Sequence, residues 1–430
     1  MCPDQHASVL IQVTPVPVGD FPIVASGLFE EVRGLAKDRR RSFLATVNSR
    51  PESSSTPAGR GTGLNPPARF ERVHVVTDPD ADPGPDGGEE INPRTQFYDD
   101  ATVSVLSRND SPDLGFSYGL NPYRGCEHGC AYCYARAYHD YLGWNSGLEF
   151  ETRIMVKRNA PALLREELSS PRWTRQPIAL SGATDCYQPA ERRFRLTRGC
   201  LEVLAEFRNP VGIITKSALI LRDLDVLVEL ARHECVSVHL TMTTLDAELS
   251  GTLEPRAARP EHRLRVIREL AQAGVPVGVM VAPIIPGLTE HEVPAILKAA
   301  AEVGATSAGY VMLRLPHAVK DVFTDWLDRH APGKKARILS RVRELRGGEL
   351  NVSDWGKRMR GEGIWADQVE ALFQASAKRA GMVLRTAALS SANFRRPGGV
   401  QLDLFERPAE ASFAPVPHRR KGERSAGSDD

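Results

Sequence analysis

Gly125-Cys126-Glu127-His128-Gly129-Cys130-Ala131-Tyr132-Cys133-Tyr134 is the most informative segment of this 430-residue chain. Its three cysteines are separated by three and then by two residues, and its two glycines favour a tight loop. Thiolate sulfur prefers soft metal centres such as zinc and iron–sulfur clusters. Because no fourth cysteine is nearby, three interpretations stay open: a cubane cluster with one iron left open, a zinc site completed by His128, and three ordinary buried thiols.

The pattern Cys126-x-x-x-Cys130-x-Tyr132-Cys133, with an aromatic residue before the third cysteine, resembles the signature of the radical S-adenosylmethionine (SAM) superfamily. This resemblance implies a 4Fe–4S cluster held by the three cysteines, with SAM bound at the open iron. It also implies that the reduced cluster cleaves SAM to a 5'-deoxyadenosyl radical, which takes a hydrogen atom from the substrate. The electron would come from a donor of the flavodoxin or ferredoxin type. The protein supplies orientation, electrostatics and exclusion of solvent.

Composition limits the other possibilities. The formal net charge of +1 gives no support for nucleic-acid binding by the whole chain, although it leaves a local basic patch open. No run of about 18 apolar residues and no basic-then-apolar leader occurs, so we expect neither a membrane span nor a secretory signal.

Seven cysteines are too few and too unevenly placed for a disulfide framework, so we expect a cytoplasmic protein. No cysteine follows Cys235, which argues against a second cluster.

Local composition divides the chain into four regions. Residues 1–94 mix short apolar pieces with Ser-, Pro-, Gly- and Arg-rich text and are expected to be largely flexible, with 78–90 as an acidic linker. Residues 95–330 form the expected core, 331–385 a helical C-terminal extension, and 386–430 a mostly disordered tail.

Within the core, candidate strands alternate with candidate helices. The strands are 116–123, 153–157, 178–183, 211–216, 236–242, 275–282 and 307–313. The helices are 131–142, 160–168, 191–207, 219–232, 260–273, 290–303 and 319–329, followed by 365–380 in the extension. Such alternation predicts an α/β fold with a parallel sheet, either open or barrel-like. The family resemblance implies the latter, a partial TIM-type (β/α)6 barrel with its chemistry at the carboxyl ends of the strands.

Polar residues on one strand indicate the barrel interior. In 236–242 the apolar residues alternate with Ser237, His239 and Thr241, which we expect to face inward. They form either a hydrogen-bonded layer of the barrel or contacts with SAM or substrate.

Two strand ends are candidate SAM-binding segments. Ser181, Gly182 and Asp185 follow the strand at 178–180, where the resemblance implies a small-residue motif that holds the SAM amino group; a plain Gly-containing turn is the alternative. Lys216 ends an apolar strand. Similarity to spore photoproduct lyase, in which a Thr-Lys-Ser stretch follows this strand, implies that Lys216 meets the SAM carboxylate; a lysine capping the barrel mouth is the alternative.

Two later loops complete the candidate site. The segment 285–290 resembles the superfamily motif near the adenine of SAM, although a turn followed by a helix cap at Thr289 explains it equally well. Arg256 and Arg314 are candidates for binding SAM or substrate, and each is open to interpretation as a surface arginine.

Other segments extend the resemblance to the spore photoproduct lyase-like branch, especially a bacterial subgroup of predicted DNA-repair photolyases. They are 119–123, 141–144, 181–191 and 314–316, so the resemblance spans about residues 95–385. It implies a lyase-like reaction on a damaged DNA base, in which a cysteine returns a hydrogen atom to the product radical. Cys186 is the candidate for that donor, against an inert loop thiol.

A basic run near the C-terminus fits either a polyanionic substrate or a solvated helix face. Its members are Lys334, Lys335, Arg337, Arg341, Arg343, Arg346, Lys357, Arg358 and Arg360. Trp355 and Trp365 lie nearby and are suited either to stack on bases or to pack helices. Three functions follow: a radical SAM enzyme acting on nucleic acid, one acting on a peptide or small metabolite, and a non-enzymatic metal-binding interaction module.

Overall fold

The structure is a computed structural model that describes residues 56–70, 94–384 and 388–397, together with the backbone of Leu10–Val13 and Val73–Val76. The fold below belongs to the unit Met1–Arg395, and Arg396–Asp430 form a separate unit. The predicted acidic linker 78–90 and the tail beyond residue 397 lie outside the described residues. So does the predicted flexible segment before residue 56, apart from the backbone of Leu10–Val13. The boundaries between the four predicted regions therefore stay predictions.

A seven-stranded sheet forms the centre of the molecule. Its strands, in sheet order, are β12 (Ser307–Met312), β11 (Val277–Ile284), β10 (Val236–Thr241), β9 (Val211–Thr215), β8 (Ile178–Leu180), β5 (Tyr118–Leu120) and β4 (Leu106–Arg108). Six of these strands run parallel: β5, β8, β9, β10, β11 and β12. Strand β4 pairs antiparallel with β5 at one edge. Six parallel strands joined by helices confirm the predicted α/β core.

Two smaller sheets accompany it. Strand β7 (Arg153–Val156) pairs with β3 (Gln96–Asp99) and with β6 (Tyr123–Arg124). The backbone of β1 (Leu10–Val13) pairs antiparallel with β2 (Val73–Val76). The sequence predicted a strand at 153–157 correctly, but that strand lies outside the parallel core sheet.

The helices of the described residues cover the sheet and extend beyond it. They are α1 (Glu149–Thr152), α2 (Ala160–Ser169), α3 (Glu191–Phe194), α4 (Leu196–Phe207), α5 (Leu224–Arg232), α6 (Ala247–Leu253), α7 (Pro260–Gln272), α8 (Val293–Glu302), α9 (Val319–His330), α10 (Pro332–Glu344) and α11 (Ile364–Arg379). Single 3-10 segments occupy Tyr134–Leu142, Ala218–Asp223 and Glu290–Glu292. None of these helices has the length and apolar character needed to cross a membrane.

Four of the expected helices differ in detail. Those expected at 219–232 and 290–303 each begin with a 3-10 segment before the α-helix starts. The segment expected as a first helix at 131–142 is a 3-10 helix over Tyr134–Leu142. The helix expected at 191–207 is divided at Arg195, whose φ of 55° is left-handed and ends α3 before α4 begins. Single left-handed residues of this kind leave little trace in hydrophobic periodicity.

The main core lies between one face of the sheet and the helices. Val236, Val238 and Leu240 of β10 are fully buried on the face where α5 and α7 pack. Helix α7 begins at Pro260, which suits a first turn because its missing N–H has no intrahelical partner there. Burial of such aliphatic side chains is the main stabilising contribution of the layer. The opposite face of β10 is left for polar residues, and the loops at the strand ends carry the candidate site.

Candidate active site

The cysteine loop starts where β6 ends. Cys126 and Cys130 are each 6% exposed and Cys133 is half-buried. Gly125 and Gly129 have φ values of 79° and 67°, and a Cβ on Gly125 would lie 2.9 Å from the Arg153 carbonyl oxygen. The loop therefore needs glycine at both positions, for backbone conformation and for space.

Gln188 fastens this loop to the segment after β8. Its Nε2 donates to the Gly125 carbonyl at 3.0 Å, and its Oε1 accepts from the Glu127 backbone N–H at 3.0 Å. Gln188 is fully buried, so both bonds replace hydration that the loop cannot obtain. Two buried hydrogen bonds therefore join the cysteine loop to the segment after β8.

A buried ion pair holds the other side of the loop. Arg136 pairs with Glu151, and both side chains are fully buried. Arg136 also donates to the Cys130 carbonyl at 2.9 Å, while Glu151 accepts from the Gly61 N–H at 3.0 Å. The segment 56–70, which the sequence analysis placed in a flexible region, is thereby bound to the cysteine loop. Neither Gly61 nor Arg136 belongs to a sequence pattern that signals this role.

Tyr132 lies over a second buried network. Its hydroxyl donates to Glu254 and lies 3.1 Å from Thr243 Oγ1, and Glu254 pairs with the buried Arg263. Burial raises the pKa of Glu254, but the charges of Arg263 and Lys216 outweigh it and hold this pKa at about 2. Glu254 is thus a charged anchor of the loop.

Lys216 follows β9 and approaches the cysteine loop. Its Nζ lies 5.9 Å from the centre of the Tyr132 ring, within cation–π range. Lys216 thus lies beside the cysteine loop, and its role towards SAM stays a prediction.

Asp185 is engaged within the chain. Its Oδ1 accepts from Thr215 Oγ1 at 2.7 Å and from the Tyr187 N–H at 2.9 Å, while Oδ2 accepts from the Lys216 N–H at 2.8 Å. Asp185 Oδ2 also lies 3.4 Å from His128 Nδ1. Asp185 therefore ties the ends of β8 and β9 together.

Ser181 and Gly182 belong to the same segment. Ser181 has a φ of 83°, and its Oγ donates to the Thr184 carbonyl and accepts from the Cys186 N–H. The Gly182 carbonyl accepts from the Tyr134 hydroxyl at 2.8 Å. The loop after β8 and the residue following Cys133 are thus in direct contact. Binding of SAM by Ser181, Gly182 and Asp185 stays a prediction.

Strand register confirms the alternation predicted for β10. Ser237 lies beside Gly212, and His239 lies beside Gly278, on the face opposite the helix-covered valines. A Cβ on Gly278 would lie 2.8 Å from the His239 ring, and His239 Nε2 lies 3.4 Å from Ser307 Oγ. These contacts match the interpretation of a polar layer within the sheet. A role of Ser237, His239 and Thr241 towards SAM stays a prediction.

Cys186 lies in the segment after β8, and Arg256 lies in the segment after α6. Cys186 is 1% exposed and belongs to the main hydrophobic cluster, so its thiol lies in the core rather than on a cavity wall. Burial raises the pKa of this thiol well above its ordinary value. Arg256 Nη2 lies 3.2 Å from Oε1 of Glu127, a buried carboxylate of the cysteine loop. The roles of Cys186 towards a substrate and of Arg256 towards SAM stay predictions.

Four of the nine members of the basic run form ion pairs within the chain. Lys335 pairs with Asp328, Arg341 with Glu290, Lys357 with Glu362, and Arg358 with Asp113. Arg346 is buried and donates to three backbone carbonyls. Trp365 packs under the Arg341 guanidinium at 4.2 Å, whereas Trp355 is 58% exposed.

Comparison with known proteins defines the family. The family model of the radical SAM superfamily matches residues 120–300. An uncharacterised protein of Mycobacterium tuberculosis is 40% identical over 252 residues, which cover 58% of this chain and 73% of that protein. The chain belongs to the radical SAM superfamily. Radical SAM proteins are enzymes that use a 4Fe–4S cluster and SAM, so the predicted cofactors and the prediction of an enzyme are confirmed.

Two further relatives differ more. A radical SAM Nalpha-GlyT isomerase of Pseudomonas phage M6 is 26% identical over 46% of this chain and 40% of that protein. The structure of spore photoproduct lyase complexed with dinucleoside spore photoproduct superposes with a TM-score of 0.50 and 16% identity, over 67% of this chain and 80% of that chain. The latter likeness confirms the fold.

The radical SAM cluster fits the donor set of the loop. Burial raises the pKa of the Cys126, Cys130 and Cys133 thiols, so they stay protonated until a metal replaces the protons. No three His, Cys, Asp or Glu side chains of the described residues converge on a single-ion site. A cubane does not need such convergence, because its cysteines bind different irons.

Proposed function

We propose that this chain is a radical SAM enzyme that binds its 4Fe–4S cluster through Cys126, Cys130 and Cys133 and takes a hydrogen atom from a nucleic-acid substrate. The observation that carries the first part is the set of three thiols on one loop that is locked by Gln188, Arg136 and Tyr132. When bound and reduced, the cluster with SAM supplies the 5'-deoxyadenosyl radical.

The residues of this chain then orient and shield the reaction. Lys216 offers its ammonium to the SAM carboxylate, since its Nζ lies 5.9 Å from the centre of the Tyr132 ring of the cysteine loop. Ser181 and Gly182, joined to Tyr134, present backbone groups to the methionyl part of SAM. The buried Tyr132–Glu254–Arg263 network keeps water away from beneath the loop.

Exposed aromatic side chains near arginines support a nucleic-acid substrate. Tyr138 is 51% exposed and packs edge-on against Tyr134 at 6.3 Å, directly after the cysteine loop. Phe70 and Tyr141 are also exposed and share the Arg69 guanidinium at 5.2 and 5.3 Å. Aromatic faces combined with arginine are the usual way to hold unstacked bases. The solved spore photoproduct lyase complex contains a dinucleoside, which is consistent with this class of ligand.

The reaction class stays wider than lyase. Of the relatives named above, one is an isomerase and one is a lyase. Isomerisation and bond cleavage are both compatible with abstraction of a hydrogen atom as the first step on the substrate. Cys186 is left out of the proposal, because its buried thiol has no exposed path to a substrate in the described residues.

Anaerobic reconstitution tests the proposed chemistry. The protein is loaded with iron and sulfide, reduced with dithionite and incubated with SAM, and 5'-deoxyadenosine is measured beside a Cys130→Ala variant. We expect 5'-deoxyadenosine from the wild type alone. Tightly held zinc without a cluster would favour the metal-binding interaction module instead.

Binding experiments test the substrate class. Affinity for a single-stranded oligonucleotide is measured at several salt concentrations, because phosphate contacts make the affinity fall as salt rises. No salt-dependent binding, together with normal 5'-deoxyadenosine formation, would point to a peptide or small metabolite as substrate.

A further inference from the structure

Arg314 is placed beside the candidate SAM site. It follows the carboxyl end of β12, and its guanidinium carbon lies 5.1 Å from the centre of the Tyr134 ring. Tyr134 directly follows Cys133 and donates its hydroxyl to Gly182 at 2.8 Å. One aromatic ring therefore separates Arg314 from the segments that carry the proposed cofactor site.

The guanidinium of Arg314 is poorly satisfied by the described residues. Its Nε is buried without a hydrogen-bond partner, and the side-chain contact of Nη1 is to the weak acceptor Sδ of Met359 at 3.5 Å. No carboxylate of the described segments forms an ion pair with it. An arginine offers five N–H donors, so most of its bonding capacity is unused.

The charged residues near Arg314 add positive charge that few carboxylates balance. Arg358 and Arg346 both lie close enough for their charges to act on Arg314. Asp113 is the acidic residue of this region, and Arg358 Nε at 2.6 Å and the Gly356 N–H at 2.7 Å already occupy its two oxygens. The guanidinium groups of Arg314, Arg346 and Arg358 thus share the single carboxylate of Asp113 among the described residues of this region.

Burial makes this arrangement costly for the protein alone. The guanidinium of Arg314 is half-buried, and its contacts with the Tyr134 ring and the Met359 thioether replace the lost hydration less well than a carboxylate would. Burial and then the Arg358 charge lower the pKa of Arg314, and burial with the Arg314 charge lowers the pKa of Arg346 to about 10. Such clusters become favourable when an anion binds.

We propose that Arg314 forms an oxyanion-binding subsite at the edge of the proposed active site, with Arg358 held in place by Asp113 as its electrostatic support. The ligand is a phosphate of the nucleic-acid substrate or the carboxylate of SAM. Either group matches the planar donor fork of arginine, which binds both bidentately. Binding of a substrate phosphate at Arg314 rests on the proposed function. Binding of the SAM carboxylate requires only that the protein binds SAM.

Two binding measurements distinguish the sources. The reconstituted full-length protein is compared with Arg314→Gln and Arg314→Lys, and with Arg343→Gln, an exposed arginine on α10, as a matched control. SAM affinity is measured by equilibrium dialysis. Affinity for a single-stranded oligonucleotide is measured beside the same oligonucleotide with an uncharged methylphosphonate backbone.

The expected result is a loss of about tenfold or more in one of the two affinities for Arg314→Gln, with partial retention in Arg314→Lys. A loss confined to the phosphate backbone oligonucleotide assigns the subsite to the substrate. A loss confined to SAM assigns it to the carboxylate. Unchanged affinity for both ligands in Arg314→Gln, as in Arg343→Gln, overturns the proposal.

Thermal unfolding separates a binding role from a structural one. Removing an uncompensated buried cation should leave the melting temperature of the ligand-free protein equal or higher. A markedly lower melting temperature in Arg314→Gln would mean that Arg314 supports the fold and would contradict the subsite. Failure of the proposed function is recognised separately, as absence of 5'-deoxyadenosine from the wild type, while the SAM measurement still tests Arg314.

Discussion

Gly61 touches the carbonyl oxygen of Gly129, for a Cβ atom placed on Gly61 would lie 1.7 Å from that oxygen. The same Cβ would lie 3.1 Å from Oε1 of Glu151, whose other carboxylate oxygen, Oε2, accepts the Gly61 N–H. Gly129 stands between two of the three cysteines. The segment around Gly61 therefore forms a cover over the cysteine loop, and the cover fits because both positions lack a side chain.

Replacing Gly61 tests this cover. We expect Gly61→Ala to displace either the segment or the loop, with a loss of about 1–3 kcal/mol of stability typical of overpacking. Iron content and the visible absorption of the reconstituted cluster should both fall. Gly333→Ala adds the same methyl where nothing lies within 4 Å and serves as control. Equal iron content in the two variants would show that the cover does not support the cluster.

Most of the parallel core was predictable because β8 to β12 are short apolar or β-branched runs between helical segments. The separate pairing of β7 was not, since a strand's partners depend on residues far away in sequence. The same holds for the site. The cysteine spacing is local and predicts the cluster loop, whereas Gln188 and Gly61 act across more than sixty residues and leave no local pattern.

Gln188 should be needed for the shape of the loop. Gln188→Leu keeps a similar volume but removes the partners of the Gly125 carbonyl and the Glu127 N–H. Each buried group left unsatisfied costs about 1–3 kcal/mol, so chemical denaturation should show a clear loss of stability. Slower or incomplete iron incorporation should accompany it. Gln374→Leu on the exposed face of α11 is the control, and the prediction is wrong if both variants behave alike.

Lys216 should affect SAM and leave the cluster intact. Lys216→Gln removes the ammonium beside Tyr132, and we expect SAM to bind about tenfold or more weakly because a charge-assisted hydrogen bond is lost. Iron content and the spectrum of the reduced cluster should match the wild type. Lys298→Gln changes a largely exposed lysine on α8 and should leave SAM affinity unaltered. Loss of iron in Lys216→Gln would instead assign the lysine a structural role.

His139 should make stability depend on pH. Its ring is 1% exposed and packs on Trp144 and Phe150, and burial lowers its pKa to about 3. The unfolded chain, with an ordinary histidine pKa near 6.5, binds the proton first. The stability contributed by neutral His139 is therefore complete above about pH 6.5 and is lost as the pH falls towards 3, by up to about 1.4 kcal/mol per pH unit.

His139→Phe keeps the aromatic packing and removes this proton. In urea unfolding of the metal-free, reduced protein, we expect the variant to lose less stability than the wild type between about pH 7 and pH 5. The slope of the unfolding free energy against pH should be smaller by the equivalent of up to about one bound proton. Phe150→Leu alters the same cluster without changing a titrating group, so its loss of stability should be similar at every pH. An unchanged slope in His139→Phe would mean that the buried ring accepts its proton without unfolding.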